Sequence, residues 1–193
     1  MKICVVRHGE TDWNKIGRIQ GREDIPLNSS GEKQSQQVAS YLRDAAWSAV
    51  ITSPLLRAKQ TAHIIAETLK IDVYEDVDFI ERDYGKISGL TAAEREKRNL
   101  DFNNAGSEDW NVVQKRVYGA LLKYAEKFAG ENIIIVSHGA AINSVLTTLS
   151  NREFGSGITK LKNACISMLE YKDGEMSIVF YNKQAAELLE PIK

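Results

Sequence analysis

The sequence predicts an α/β protein with a mostly parallel sheet covered by helices on both faces, and three observations carry that expectation. Short apolar runs alternate along the chain with segments of helical period, as strands joined by crossover helices do. An apolar run ending in His-Gly occurs twice, at Arg7-His8-Gly9 and at Ser137-His138-Gly139. Near the end, two strand-like runs flank Asp173-Gly174, a strong hairpin signal that adds at least one antiparallel strand.

Residues 3–6 read as a buried strand, so Arg7 and His8 emerge at its carboxyl end, where open α/β sheets bind ligands. Residues 9–28 are a polar, glycine-punctuated loop holding Asn14, Gln20, Gly21 and Arg22; long loops of this kind are more often functional than idle. From Gly31 the period turns helical, with Val38, Tyr41, Leu42 and Ala45 on one face and an end near Asp44. Residues 48–52 form a second strand. Ser53-Pro54 then opens a helix with a capping hydroxyl and a proline in first position, and Leu55, Ala58, Ala62, Ile65 and Leu69 are its buried stripe. Arg57 lies in that first turn, off the stripe, where unpaired N–H groups and the helix dipole favour an anion.

Residues 71–74 are a third strand, residues 78–89 a loop with Glu81, Arg82 and Tyr84, and residues 91–97 a short helix. Residues 82–110 are expected to form an inserted, cap-like segment, a small subdomain over the sheet, within a single domain spanning residues 1–193. Ser107 is the expected cap of a long helix with Trp110, Val113, Val117, Leu121, Tyr124 and Phe128 on one face, stopping at Gly130. A fourth strand at 133–136, a helix at 140–149 and the two hairpin strands at 165–171 and 176–181 complete the chain.

Basic and acidic residues nearly cancel, 25 against 26, so no electrostatic field favours nucleic acid or anionic lipid. The expected partner is a small molecule, with a homodimer of the chain as the protein partner. Cys4 and Cys165 lie in apolar segments and read as small hydrophobes, which suits a reducing, cytoplasmic compartment. The apolar run before Arg7 is too short for a signal-peptide core, and no later run reaches the length of a membrane span.

A histidine beside an arginine at a strand end can be a core residue, a metal ligand or a nucleophile facing an anion. Arg7 and Arg57 suit a phosphate dianion far better than a divalent cation, and there is no cysteine cluster or His-Glu-x-x-His from which to build a metal site. No metal or cofactor is expected. Phosphoryl transfer needs in-line attack, donors around three equatorial oxygens and a proton for the leaving oxygen. Neutral His8 can attack phosphorus, while Arg7, Arg57 and His138 hold the oxygens. Glu81 can protonate the alkoxide and later take a proton from water. The nucleophile must stay unprotonated among cations, whereas the acid must hold its proton through burial or neighbouring negative charge.

Arg7-His8-Gly9-Glu10-Thr11 with Trp13-Asn14, the block from Ser53-Pro54 through Arg57 to Thr61-Ala62, Glu81-Arg82-Asp83-Tyr84-Gly85, and Val136-Ser137-His138-Gly139 resemble the histidine phosphatase superfamily in its phosphoglycerate-mutase-like branch. Four blocks in order span most of the chain, and the look is to short bacillus-type broad-specificity phosphatases. The resemblance implies a three-layer α/β/α sandwich and metal-free chemistry. It assigns His8 as the phosphorylated nucleophile, Arg7, Arg57 and His138 as the phosphate pocket, Glu81 as the proton donor and Asn14 as a phosphate or substrate contact. The acid loop is similar to its mutase version, and Gln20-Gly21 falls where mutases bind the substrate carboxylate, which points to a small acidic phosphoester.

Against a mutase, no extended insert with paired arginines lies between Tyr84 and the helix near Ser107, so hydrolysis is favoured, lids being what exclude water. Lys86-Ile87-Ser88-Gly89 follows the acid loop in place of the Trp-Glu-Gly of many relatives, so substrate preference does not transfer. Asp83 is a rival proton donor. A catalytically silent phospho-ligand sensor would need the cations but not Glu81. Trp13 is the tryptophan expected nearest the pocket, Asn163 is placed to reach the pocket but reads more simply as a turn residue, and His63 reads as structural or exposed.

Overall fold

The computed structural model describes residues 1–188; the last five residues of the expected domain, 189–193, lie outside the described residues. The elements are β1 (Lys2–Arg7), α1 (Asp12–Lys15), α2 (Ser29–Leu42), β2 (Ala49–Thr52), α3 (Leu56–Leu69), β3 (Asp72–Glu75), α4 (Ala92–Lys97), α5 (Trp110–Lys127), β4 (Ile133–Ser137), α6 (Gly139–Leu149), β5 (Ile166–Lys172) and β6 (Glu175–Lys183). They build one six-stranded sheet in the order β3-β2-β4-β1-β5-β6. The β3, β2, β4 and β1 strands run parallel, whereas β5 is antiparallel to β1 and β6 to β5.

Alternate residues of the central strands feed two cores, as a period of two requires. Ile3, Val5, Ile51, Ile133 and Ile135 meet Val113, Val117 and Leu121 of α5 and Ile142 and Val145 of α6. Cys4, Val6, Val50, Ile134 and Val136 meet Val38 and Leu42 of α2 and Ala58, Ala62 and Ile65 of α3. The result is a three-layer α/β/α sandwich. Every residue of β4 is buried, which is why it reads as an unbroken apolar run. Asp173 and Gly174 both have positive φ, 52° and 84°, the backbone of a tight hairpin turn between β5 and β6.

Three helix starts differ from the sequence reading, two of them because another polar side chain takes the capping role. Asn28 caps α2 by accepting the Gly31 N–H at 2.9 Å, so the helix begins at Ser29 rather than Gly31. Asp109, accepting the Asn111 N–H at 2.8 Å, caps α5 instead of Ser107, whose hydroxyl donates to the Tyr84 carbonyl at 3.1 Å. Helix α3 starts at Leu56 with no side-chain cap, because Ser53 is engaged elsewhere. The short α1, closed by a capping box between Thr11 and Asn14, lies within the stretch read as loop. Residues 82–110 hold a 3₁₀ turn at Gly85–Ile87, α4 and connecting turns. Among the described residues no helix is long and apolar enough to cross a membrane.

Candidate active site

Strand register creates the site. Arg7 on β1 pairs with Ser137 on β4, so the residues that follow, His8 and His138, leave adjacent carboxyl ends together, with ring centroids 5.2 Å apart. The His8 N–H donates to the Ser137 carbonyl at 3.0 Å, and the Gly9 N–H donates to Thr61 Oγ1 at 3.0 Å. A β-carbon on Gly9 would come within 2.4 Å of the Gly31 carbonyl oxygen, so the glycine after His8 lets this loop rest on the backbone of α2. From the far side Asn163 Nδ2 donates to the carbonyls of His8 and Gly9 at 3.4 and 3.3 Å and to Asn14 Oδ1 at 3.1 Å. Asn163 is thus a strap on the His8 loop as well as a turn residue, a role no motif announces.

His8 Nδ1 lies 2.7 Å from the Gly9 carbonyl. A carbonyl only accepts, so Nδ1 carries the proton and Nε2 keeps its lone pair. Burial, then Arg57 and Arg7, hold the His8 pKa well below the ordinary histidine value, against a smaller opposite pull from the Gly9 bond. His138 Nε2 lies 2.7 Å from Ser53 Oγ, whose oxygen accepts the Leu55 N–H at 3.3 Å. In the tautomer in which the Ser53 hydroxyl donates to His138 Nε2, the Nδ1–H of His138 is left as a donor. That Nδ1 is buried with no partner. Burial, then Arg57, His8 and Arg7, also press the His138 pKa well below its usual value.

The two arginines are anchored by carbonyls, and each keeps its Nε–H unpaired. Arg7 Nη1 donates to Leu161 O at 2.5 Å, and Arg57 gives Nη1 to Glu23 O at 2.6 Å and Nη2 to Gly21 O at 2.7 Å. Both Nε atoms are buried without a partner. Burial lowers the Arg57 pKa to about 10, with Glu81 pulling it up and Arg7 pressing it down, so it stays charged at neutral pH.

Glu81 closes the group from the other side. Its carboxylate accepts the N–H of Ala140 at 3.1 Å and of Ala141 at 3.1 Å, at the positive end of α6. A β-carbon on Gly139 would sit 3.7 Å from Arg7 Nε and 3.8 Å from Glu81 Oε2, so guanidinium and carboxylate flank one glycine. Arg116 of α5 fixes the acid loop by donating to the carbonyls of Asp78, Ile80 and Glu81 at 2.8, 2.7 and 3.2 Å while bonding both oxygens of Glu108.

Arg7, His8, Asn14, Gln20, Gly21, Arg57 and Glu81 line one cavity of about 950 Å³, and the fully buried His138 touches it through the His8 ring contact. We call the end formed by the two histidines and the two arginines the pit. Asn14 has its carbonyl oxygen engaged by Thr11 and Asn163, which leaves its NH₂ for a ligand. The Gln20 side-chain oxygen accepts the Thr11 hydroxyl at 2.9 Å. Asp83 is outside the wall, its carboxylate accepting the Gly85 N–H at 2.8 Å, whereas Glu81 lines the cavity. Trp110 lines the cavity and Trp13 does not; Trp13 instead lies under the Arg18 guanidinium. His63 is exposed on α3. Arg22 pairs with Glu108 at 3.2 Å. Arg116 is the residue sequence reasoning missed, and Ser53, read as a helix cap, faces His138 instead.

The α/β/α sandwich sets two histidines and Arg7 at neighbouring strand ends, Arg57 in the first turn of α3, and the Glu81 carboxylate at the N-terminus of α6, a donor set that suits a tetrahedral oxyanion. The chain belongs to the histidine phosphatase superfamily (branch 1), which it matches over residues 3–184. It is 42% identical to the Bacillus subtilis "Uncharacterized phosphatase PhoE" over 93% of each chain, and 33% identical to the Salmonella choleraesuis "Probable phosphoglycerate mutase GpmB" over 91% of this chain and 87% of that one. Among solved structures it resembles an Entamoeba histolytica phosphoserine phosphatase, a histidine-to-alanine mutant in complex with phosphoserine, with a TM-score of 0.82, 27% identity, and 97% and 99% of the two chains covered.

Proposed function

We propose that the protein is a metal-independent phosphomonoester hydrolase that works through a phosphohistidine on His8 and takes small, acidic phosphorylated metabolites. One observation carries the reading most strongly: the Nδ1 bond to Gly9 leaves the His8 Nε2 lone pair free in a pit where two guanidiniums hold unused donors. In the first step Nε2 attacks phosphorus in line and the bond to the leaving alkoxide breaks, with Glu81 delivering its proton to that oxygen. Arg7 Nε, Arg57 Nε and His138 Nδ1 hold the equatorial oxygens. In the second step Glu81 removes a proton from water as it attacks the phosphohistidine, which releases phosphate and restores the imidazole.

The donor set supports a metal-free route. Among the described residues no group of three His, Cys, Asp or Glu side chains is placed to hold a metal, and the guanidiniums of Arg7 and Arg57 in the pit repel a cation. The PhoE likeness supports hydrolysis, as does the modest cover between Tyr84 and α5, whose only α-helix is the six-residue α4. The GpmB likeness supports the second reading, phosphoryl transfer between hydroxyls as a phosphoglycerate mutase. Assaying phosphate release from p-nitrophenyl phosphate, phosphoglycerates, phosphoserine and sugar phosphates in EDTA, with mutase turnover measured in parallel, separates them. Hydrolysis that persists in EDTA and exceeds mutase turnover is expected. Activity that returns only with an added divalent cation, or mutase turnover above hydrolysis, overturns the reading.

A further inference from the structure

The cavity extends beyond the pit, and its wall is strongly cationic. Arg7, Arg18, Arg57, Arg82, Arg152 and Lys160 line it against one carboxylate, Glu81. Arg7 and Arg57 belong to the pit, Arg18 is paired with Glu94 at 3.1 Å, and Arg82 donates to the Glu108 carbonyl at 2.9 Å and lies over the Trp110 ring. Arg152 and Lys160 have no ion-pair partner among the described residues. A phosphate dianion in the pit therefore leaves the cavity with uncompensated positive charge at its other end.

These two cations sit on residues 150–161, a segment fixed against α6. Ser156 N–H donates to Thr147 Oγ1 at 2.8 Å, and Asn143 Nδ2 donates to the Thr159 carbonyl at 2.9 Å. A β-carbon on Gly155, at φ +112°, would come within 2.3 Å of Thr147 Oγ1, so the segment approaches the helix as closely as glycine allows. Two polar atoms in this contact have no partner, Asn143 Oδ1 and Ser156 Oγ, and both residues belong to the cavity wall. With Nδ2 committed to Thr159, the unsatisfied atom of Asn143 is an acceptor. The segment also adjoins the pit: Leu161, next to Lys160, accepts from Arg7, and Asn143 lies three residues along α6 from Ala140, about 4.5 Å of rise.

We infer that Arg152, Lys160, Asn143 and Ser156 form a second subsite that receives an anionic group, with a neighbouring hydroxyl or ammonium, at the far end of a short phosphomonoester. The inference rests on the proposal that the pit takes phosphate. The test uses calorimetry on the His8→Ala protein, which binds without turnover, and matched ligands. 3-Phosphoglycerate is compared with glycerol 3-phosphate, which lacks the carboxylate, and propane-1,3-diol bisphosphate reads a second phosphate in its place. The better anionic ligand is expected to bind about tenfold more tightly than glycerol 3-phosphate, since charge-assisted bonds are the strong ones. R152A/K160A in the same background should collapse that ratio, in which a general loss of structure cancels. Ser156→Ala should narrow the preference for 3-phosphoglycerate over its analogue without the 2-hydroxyl. An absent ratio, or one that survives the double substitution while inorganic phosphate still binds, overturns the subsite alone. Failure of inorganic phosphate to bind overturns the phosphate pit and the subsite with it.

Discussion

Arg116 is the most informative side chain to remove, because it lies on α5 and holds the acid loop only through hydrogen bonds. In Arg116→Met the carbonyls of Asp78 and Ile80 lose the Arg116 donor, the Glu81 carbonyl keeps only Arg22, and the Glu108 carboxylate keeps Arg22 and the Asp83 N–H. The arginine and glutamate side chains are only 14% and 12% exposed, so the water that replaces those bonds reaches them poorly. Breaking a largely buried pair by removing one partner costs about 3 kcal/mol at the lower end of its range, which in a domain of this size lowers Tm by about 6–12 °C. Activity should respond in a specific way. With Glu81 loosened, turnover of an alkyl phosphate, whose leaving oxygen needs a proton, should fall about ten- to a hundredfold more than turnover of p-nitrophenyl phosphate. Glu81→Gln should show the same leaving-group bias with little change in Tm. Arg116→Lys keeps the charge without the planar fork and should recover only part of both losses. Thermal melts and paired kinetics measure this; equal losses for the two leaving groups, or an unchanged Tm, would refute the positioning role.

Two further outcomes follow from the pit. Replacing Ser53 by alanine frees His138 Nε2 and should shift the ¹⁵N imidazole signals of His138 away from the Nδ1–H tautomer, with a fall in kcat/KM of about tenfold or more; Ser53→Thr should restore both, and unaltered signals would remove Ser53 from the mechanism. The depressed pKa values of His8 and His138 make stability pH-dependent. Below about 6.5 the unfolded chain protonates both histidines while the native state holds them neutral, so stability falls with pH from that point at up to about 1.4 kcal/mol per unit for each, until the native values are reached. Denaturant titrations from pH 7.5 to 5 compared with His8→Ala read this slope, and a substitution that leaves the slope intact would contradict it.

His8 and His138 were legible because each ends an apolar run just before a glycine, a position that strand geometry makes functional. Arg57 was legible from its place in a first turn. Their proximity was not, since it depends on the pairing of Arg7 with Ser137 across strands far apart in sequence. Ser53 resembled a helix cap, and only the approach of His138 from β4 shows that its hydroxyl faces an imidazole instead. Arg116 carries no local signal: one arginine on a long helix reads as solvated until the Asp78-to-Glu81 carbonyls are seen converging on it. Asn163 and Asn28 behaved as asparagine does wherever competing backbone groups surround it, and the winner is set by tertiary contact. Trp13 and Trp110 exchanged places at the cavity because sequence nearness to His8 does not predict which helix crosses above it.

Mapping the phosphoenzyme tests the central claim most directly. After brief reaction with labelled substrate and quenching in base, the phosphoryl group should be found on His8 as an acid-labile, base-stable adduct, located by peptide mass spectrometry and absent from His8→Ala. Label on His138 or any other residue, or turnover with no phosphoenzyme under rapid quench, would contradict the assignment of His8 as nucleophile.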